Sequence, residues 1–348
     1  MFLSELNTFS IENRRYLGNK QRLLKEIGAI VQDYCPNVET FLDLFAGTGV
    51  VGACFSQHQT VYTNDLLYSN YLCHYAWLKP ESFDESKLKQ LLIQYNRTQP
   101  TEENYMSERF SDTFFSHEVC QKIGWIREDI ESRFLSNELN EKERAILMMS
   151  LLYAMDRIAN TCGHYDAYRK QTTFRGDLEL RWPLIPTHSP CLFNHDCFNE
   201  DANELVKRIQ ADVVYIDPPY NSRQYSDAYH LLENVARWEK PEVFGVARKM
   251  DRSHLKSDYC SVKAPVAFAQ LIETIQAKWI IVSYNNTEQK ANARSNAKLS
   301  DQEIITALEK RGKVTIREID FKAFTTGKTP SQQLKERLFI CEVMPHEN

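Results

Sequence analysis

Two runs of this chain, "DVVYID" (212–217) and "KWIIVSYNN" (278–286), are apolar almost without a break. They lack the strict alternation of a strand with one wet face, and so predict strands covered on both sides, as in a parallel sheet. "TFLDLF" (40–45) reads as another buried strand running straight into glycines, and "TVYTND" (60–65) as a short strand ending on an acid. "LFICEVM" (338–344) supplies a last strand. Elsewhere the period is helical. Leu23, Leu24, Ile27, Ile30 and Val31 share one face over residues 20–34, and "ESKLKQLLIQY" and "EKERAILMMSLLYAMDRIAN" repeat that spacing mid-chain. "DAYHLLENVARW" (227–238) predicts a helix packed on the sheet, with His230 structural. Strands alternating with helices predict a layered α/β domain. The polar, helix-rich block divides it: residues 1–79 and 192–348 form one domain, and 80–191 an inserted lobe.

Composition narrows the class. With 348 residues and 43% hydrophobic content, the chain can bury a large core and still carry an insertion. No apolar run reaches the roughly 18 residues of a membrane-crossing helix, and the N-terminus lacks the basic-then-apolar pattern of a signal peptide. Nine cysteines are scattered with no C-x-x-C pair. That spacing predicts free thiols in a reducing cytoplasm and no metal site. A net charge of −5 gives no overall footprint for nucleic acid. Any such binding must come from local patches.

Two stretches carry chemistry. "DLFAGTGVVG" (43–52) sets Gly47, Gly49 and Gly52 directly after a strand, and Asp65 closes the next strand 16 residues beyond Gly49. Glycines let a backbone approach a ligand, and a following acid suits ribose hydroxyls. This pattern alone fits a dinucleotide or any other adenosine-containing cofactor, or a tight turn with no ligand. Asp43 tips the balance. A carboxylate at the strand end sits badly beside pyrophosphate and well beside the ammonium of a methionine moiety, which favours S-adenosylmethionine. "RYLGNKQRLL" (15–24) adds Lys20 at a helix start, where it can meet a carboxylate.

The second stretch is "DVVYIDPPYNSRQY" (212–225). A buried strand ends on Asp217, and two prolines then stiffen the backbone. An exocyclic amine on an aromatic base is a poor nucleophile because its lone pair is delocalised. The Asp217 carboxylate and the Pro218 carbonyl are two acceptors that can draw that nitrogen towards a tetrahedral shape. Pro218 and Pro219 hold them still. Tyr220 offers a face for base stacking, worth roughly 1–3 kcal/mol. The plain alternative is a strand-ending acid before a rigid turn.

Taken together, "YLGNK", "FLDLFAGTG", "YTND" and "VVYIDPPYNSRQYSDAYH" resemble the N6-adenine DNA methyltransferases of restriction–modification systems, in the alpha-group order of motifs. The resemblance covers about residues 14–78 and 192–344. It implies a Rossmann-like, S-adenosylmethionine-dependent fold with a mostly parallel seven-stranded sheet and a helical target-recognition lobe at 80–191. It implies that Asp217, Pro218, Pro219 and Tyr220 form the catalytic motif. Tyr16, Lys20, Asp43, Phe45, Gly47 and Gly49 would surround the methionine part of the cofactor, Asp65 its ribose, and Asp201 its adenine amine. Asp201 also reads simply as a helix cap.

A target base inside a duplex must be flipped out to reach such a pocket. Arg223, Gln224 and Tyr225 suit phosphate contact, base-edge contact and stacking, respectively. "GVARKMDRSHLKS" (245–257) sets Arg248, Lys249, Arg252 and Lys256 against Asp251 alone, and reads as a mobile phosphate-contacting loop. "NTCGHYDAYRKQTTFRGD" (160–177), with Arg169 and Lys170, is the expected DNA-reading surface. Ser283 and Asn285 end a strand on the same sheet edge as Asp217. The expected partners are double-stranded DNA and a separately acting cognate restriction endonuclease, with the chain itself a cytoplasmic monomer. An RNA adenine methyltransferase, an NAD-dependent oxidoreductase and a non-enzymatic DNA-binding module remain the competing readings.

Overall fold

Seven strands form one sheet: β1 (Thr40–Asp43), β2 (Thr60–Asn64), β3 (Asp196–Phe198), β4 (Gln210–Ile216), β5 (Gln276–Asn285), β6 (Gly312–Phe321) and β7 (Leu334–Val343). The computed structural model describes residues 6–170, 173–174, 176–185, 193–220, 222–285, 298–321 and 334–344. Across the sheet the order is β3-β2-β1-β4-β5-β7-β6. All neighbours are parallel except β7, which runs antiparallel to both β5 and β6. The mostly parallel seven-stranded sheet implied by the motifs is therefore present. The edge strand β6 was not anticipated. Its sequence, "GKVTIREIDF", alternates apolar and polar positions in the manner of a half-covered strand.

The alternation of each strand sorts its side chains onto two faces. Phe41, Val213, Tyr215, Ile281 and Leu338 enter one buried cluster, while their neighbours Leu42, Val214, Ile216, Ile280 and Phe339 enter the other. Every central strand is thus apolar on both sides, which is why these runs show no alternation in the sequence.

Among the described residues twelve helices cover the faces: α1 (Leu24–Tyr34), α2 (Val50–Phe55), α3 (Tyr68–Leu78), α4 (Glu85–Arg97), α5 (Tyr105–Phe110), α6 (His117–Leu135), α7 (Glu141–Ile158), α8 (Ala202–Leu205), α9 (Tyr225–Ala228), α10 (His230–Arg237), α11 (Ala264–Thr274) and α12 (Asp301–Glu309). The helix expected over 20–34 starts with a 3-10 turn at Gln21–Leu23. The one expected over 227–238 is broken at Tyr229 into α9 and α10. Helices α8, α11 and α12 pack on one face, and α1 to α7 with α10 lie on the other.

The helical block at 85–158 shares that second core, and buried charges tie it to the sheet domain. Lys142 of α7 donates to the carbonyls of Tyr75, Ala76 and Lys79, at 3.0, 2.9 and 2.6 Å, and so caps the C-terminus of α3. Burial lowers its pKa to about 8. At the other end of α3 the buried Glu233 accepts from the backbone N–H groups of Tyr68 and Ser69, at 3.0 and 2.9 Å. Arg127 of α6 caps α10 through the carbonyls of Val235 and Ala236. A carboxylate at the N-terminus of α3 and cations at the C-termini of α3 and α10 complement the helix dipoles and satisfy backbone groups that no helix can satisfy for itself.

Candidate active site

In an open parallel sheet, ligands bind where the chain leaves adjacent strands in opposite directions. Here that point lies between β1 and β4, because β1 continues to β2 on one side and β4 to β5 on the other. The glycine turn follows β1, Asp65 follows β2, and Asp217 follows β4, so all three motifs arrive at one edge of the sheet. They line a single cleft.

Local packing explains the glycines. Gly47 has φ of 55°, and a Cβ there would lie 3.0 Å from the ring of Tyr16. Gly49 has φ of 81°, and a Cβ there would lie 2.8 Å from His74. The third glycine serves packing: a Cβ on Gly52 would meet Thr63 at 2.8 Å, so its absence lets α2 settle on β2. The Gly52 N–H donates to Asp43 Oδ2 at 3.0 Å, and the Gly47 N–H to Asp65 Oδ2 at 2.9 Å. Asp65 also accepts from the Leu67 N–H at 2.8 Å, so it fastens the glycine turn to the end of β2.

The cleft is electrostatically lopsided. Asp43, Asp65, Glu200, Asp201 and Asp217 line it with a single cation, Lys20. Burial pushes the Asp43 carboxyl up to about 7, against the Gly52 N–H and with help from Asp217 and Asp65. Burial likewise takes Asp65 to about 6 and Asp217 to about 7. A pocket so short of positive charge repels pyrophosphate and welcomes a cation. Its residues fit a ligand carrying both a sulfonium and an ammonium. The NAD reading of "GTGVVG" lacks any such fit.

Lys20 takes an unexpected seat. Its ammonium lies 2.7 Å from Glu336 Oε1 and 3.1 Å from Asp217 Oδ1. Burial works against that charge, but the two carboxylates outweigh it and hold the pKa well above the ordinary lysine value. Glu336 is on β7, is 2% exposed, and also accepts from Ser283 Oγ of β5 at 2.7 Å. Ser283 is thus buried beneath the site. Asn285 faces Glu336 across the β5–β7 ladder, and its Oδ1 is buried with no partner among the described residues.

Sequence reasoning missed Glu336, and it also missed the support of the N-terminal segment. The guanidinium of Arg14 reaches Asn70 Oδ1 at 2.8 Å and Asp156 Oδ2 at 3.3 Å. Asn70 in turn donates to the Tyr16 hydroxyl at 3.0 Å. Tyr16 stacks on Tyr229 at 4.5 Å and on Tyr225 at 5.4 Å between ring centroids. The only sequence sign of this network is a polar residue within each helical pattern.

Of the remaining expected residues, Phe45 and Pro219 line the cleft. Asp201 lines it too, and its side chain caps α8 by accepting from the N–H groups of Asn203 and Glu204. Pro218 is buried beside the cleft. Tyr220 is half-buried and packs against the core on the α11 face.

The loop residues differ from their expected roles. Gln224, read as a base-edge contact, exchanges two hydrogen bonds with the backbone of Ser257, at 2.8 and 3.1 Å. Tyr225, read as a stacking side chain, forms part of the cleft wall and donates from its hydroxyl to the Leu17 carbonyl at 3.2 Å. Lys249 pairs with Asp166 at 2.7 Å and with Asp227 at 3.5 Å, and Arg252 pairs with Asp227 at 2.6 Å. The basic stretch is therefore partly neutralised by acids distant in sequence, and it forms an ordered turn closed by two backbone bonds between Phe244 and Lys249. Arg248 is exposed on that turn, beside the exposed Phe244 and Val246. Arg223 lies 3.8 Å from Asp166, with its side chain about half exposed. Arg169 and Lys170 are exposed; residues 171, 172 and 175 of their stretch, and residue 221, directly after Tyr220, lie outside the described residues. His230 is buried and bonds the Tyr165 carbonyl at 2.9 Å, a structural role. Among the described residues no cluster of three or more His, Cys, Asp or Glu could hold a metal, and no helix is long and apolar enough to cross a membrane.

A seven-stranded, mostly parallel sheet with a cation-seeking cleft at its switch point and an Asp-Pro-Pro-Tyr turn on the lip defines an S-adenosylmethionine-dependent methyltransferase fold. Residues 16–311 match the family described as D12 class N6 adenine-specific DNA methyltransferase, and the chain belongs to that family. It is 39% identical to the modification methylase StsI of Streptococcus sanguinis, over 95% of this chain and 52% of that protein. It is 32% identical to the type II methyltransferase M.FokI of Planomicrobium okeanokoites, over 86% of this chain and 47% of that protein. The chain thus spans about half the length of these relatives. With M.NlaIII of Neisseria lactamica it shares 30% identity over 92% of this chain and 95% of that protein.

Proposed function

We propose that this chain transfers a methyl group from S-adenosylmethionine to the N6 amine of an adenine flipped out of duplex DNA, as the modification activity of a restriction–modification system. One observation carries the reading. The Asp-Pro-Pro-Tyr turn and the glycine turn share a cleft whose lining has five carboxylates and one lysine. The cofactor supplies a methyl carbon made electrophilic by its sulfonium.

The protein's own groups supply the rest. Asp43 and Asp65 anchor the glycine turn through the N–H groups of Gly52 and Gly47, and their negative charge draws the cationic ligand in. Asp65, whose two oxygens take the Gly47 and Leu67 N–H groups, would offer its remaining lone pairs to ribose hydroxyls, and Asp43 its charge to the cationic amino-acid end. Tyr16, Phe45 and Lys20 bound that end. Asp201 reaches the cofactor's adenine amine while it caps α8. At the reacting centre, Asp217 and the Pro218 carbonyl accept the two N–H bonds of the target amine. That would localise its lone pair for attack on the methyl group a bound cofactor would present. The carboxylate of Asp217 would also receive the proton released from the methylated nitrogen.

Arg223, Arg248, Arg169 and Lys170 are the exposed cations offered to phosphates, and residues 80–191 are the lobe that reads the site. The helical lobe favours a duplex over single-stranded RNA, since readers of single strands rely on stacking platforms. A separate endonuclease of the same specificity would complete the system, and the chain would act as a monomer.

Incubation with methylation-free genomic DNA and labelled S-adenosylmethionine, followed by mapping of modified bases, tests all of this together. N6-methyladenine in one short sequence context is expected. Label appearing only in RNA, or none in either nucleic acid, would overturn the reading.

A further inference from the structure

Glu336 has no place in the chemistry described so far, although it is a deeply buried carboxylate that shares Lys20 with Asp217. Four groups form a chain of contacts: Ser283 Oγ, Glu336 Oε1, Lys20 Nζ and Asp217 Oδ1, separated by 2.7, 2.7 and 3.1 Å. They come from β5, β7, the N-terminal segment and the end of β4, so only the folded sheet assembles them. One ammonium serves two carboxylates. The shorter contact goes to Glu336, whose side chain is 2% exposed, and the longer to Asp217, at 18%.

We propose that Glu336 is a positioning residue that seats the Lys20 ammonium, so that Asp217 stays free to exchange Lys20 for the amine of the target base. This inference rests on the function proposed above. Without a second anion, Lys20 would close fully onto Asp217. A buried ion pair of that kind is hard to open, because separating it leaves two desolvated charges uncompensated. With Glu336 present, Lys20 keeps a partner when the substrate amine takes its place on Asp217. Ser283 fixes the Glu336 oxygen that does this.

The other charged or titratable groups around Asp217 are Asp43 from β1, Tyr215 from β4, Tyr220 after the prolines and Tyr225 from α9. None of them is a cation that could replace Lys20. The negative charge of Glu336 also raises the Asp217 carboxyl, after burial, while Lys20 lowers it.

The test is Glu336→Gln, which keeps the size and the acceptor oxygen and removes the charge. Two results are expected together. The maximal rate kcat falls on the order of 100-fold at saturating DNA and cofactor, because Lys20 now competes for Asp217. The acid limb of the kcat profile moves to lower pH, because an anion has left and a cation has come closer. A variant that merely disturbed the fold would lower the plateau and leave the limb where it was.

An independent readout needs no turnover. In the cofactor-free protein labelled with 13C-aspartate, the Asp217 carboxyl resonance, assigned with Asp217→Asn, should titrate at lower pH in Glu336→Gln than in the parent. An unchanged titration midpoint would overturn the proposal, and so would an unchanged kcat. If the parent transfers no methyl group to any nucleic acid but the Asp217 titration still moves, the functional reading fails and the seat for Lys20 stands.

Discussion

The helical block at 85–158 and the cleft at the sheet edge both bury ionised groups, but they use them in opposite ways. In the block each such charge meets its complement. Lys142 is spent on three carbonyls at the end of α3, and Arg127 on two at the end of α10. Glu233, which faces the block from α10, holds two backbone N–H groups and the Arg237 guanidinium. In the cleft, Asp43 has one backbone N–H and no cation, and Lys20 is shared between two acids. A charge that is fully matched inside a protein cannot lose its partner without destabilising the fold, because the group left behind is buried and uncompensated. An excess of one sign, held in place and unmatched, is a binding site for the opposite sign.

The most severe way to probe this contrast is Asp217→Ala. Methyl transfer should fall on the order of 1000-fold, with folding and DNA binding intact, as gel-shift and denaturation curves would show. Retained transfer would move the chemistry elsewhere. In the block, Lys142→Met should do the reverse. It removes a matched charge and leaves α3 carbonyls unpaired, so denaturant unfolding should show a loss of about 2–3 kcal/mol. Cofactor affinity measured on the folded protein should hardly change.

Asp43→Asn lies between the two. S-adenosylmethionine should bind about 10- to 100-fold more weakly by calorimetry, the worth of one charge-assisted contact. The unliganded protein should lose no stability at neutral pH, because the carboxylate there is unmatched; a clear loss would show that Asp43 is structural.

The pH dependence follows from the same shift. Burial raises the folded-state pKa of Asp43 to about 7 and that of Asp65 to about 6, above the ordinary carboxylate range. Groups raised in this way favour the folded state when protonated, so their contribution is present in acid and is lost as pH rises through those values. Cofactor binding has the opposite slope, since a cation prefers the ionised form. Affinity should weaken from pH 7.5 to 5.5, by up to about tenfold per pH unit. A flat profile would mean that Asp43 and Asp65 are already ionised. The smallest effect is expected at Arg248→Ala: DNA affinity reduced by a few-fold across sequences, with the salt slope lower by about 1.

Much of this architecture is legible before any coordinate is known. The strands at 40–43, 60–64 and 210–216 show as buried runs, and each is followed by its chemistry. What stayed hidden has a common cause. Glu336 sits in "KERLF" like any charged strand residue, and only the antiparallel entry of β7 between β5 and β6 turns it towards Lys20. The basic run at 245–257 counts as four cations against one acid, yet Asp166 and Asp227 come from other segments to pair with Lys249 and Arg252. Gln224 carries no sign of its bonds to Ser257, because a partner 33 residues away leaves no local pattern.

By itself the sequence determined the central strands, their two covered faces, and the three turns that meet at the sheet edge. Those features follow from side-chain period and from the backbone limits of glycine and proline, which act over a few residues. The tertiary structure alone decided which charge meets which. Electrostatic pairing depends on distances of a few ångströms between segments hundreds of residues apart, and that is where Lys20 found Glu336 as well as Asp217.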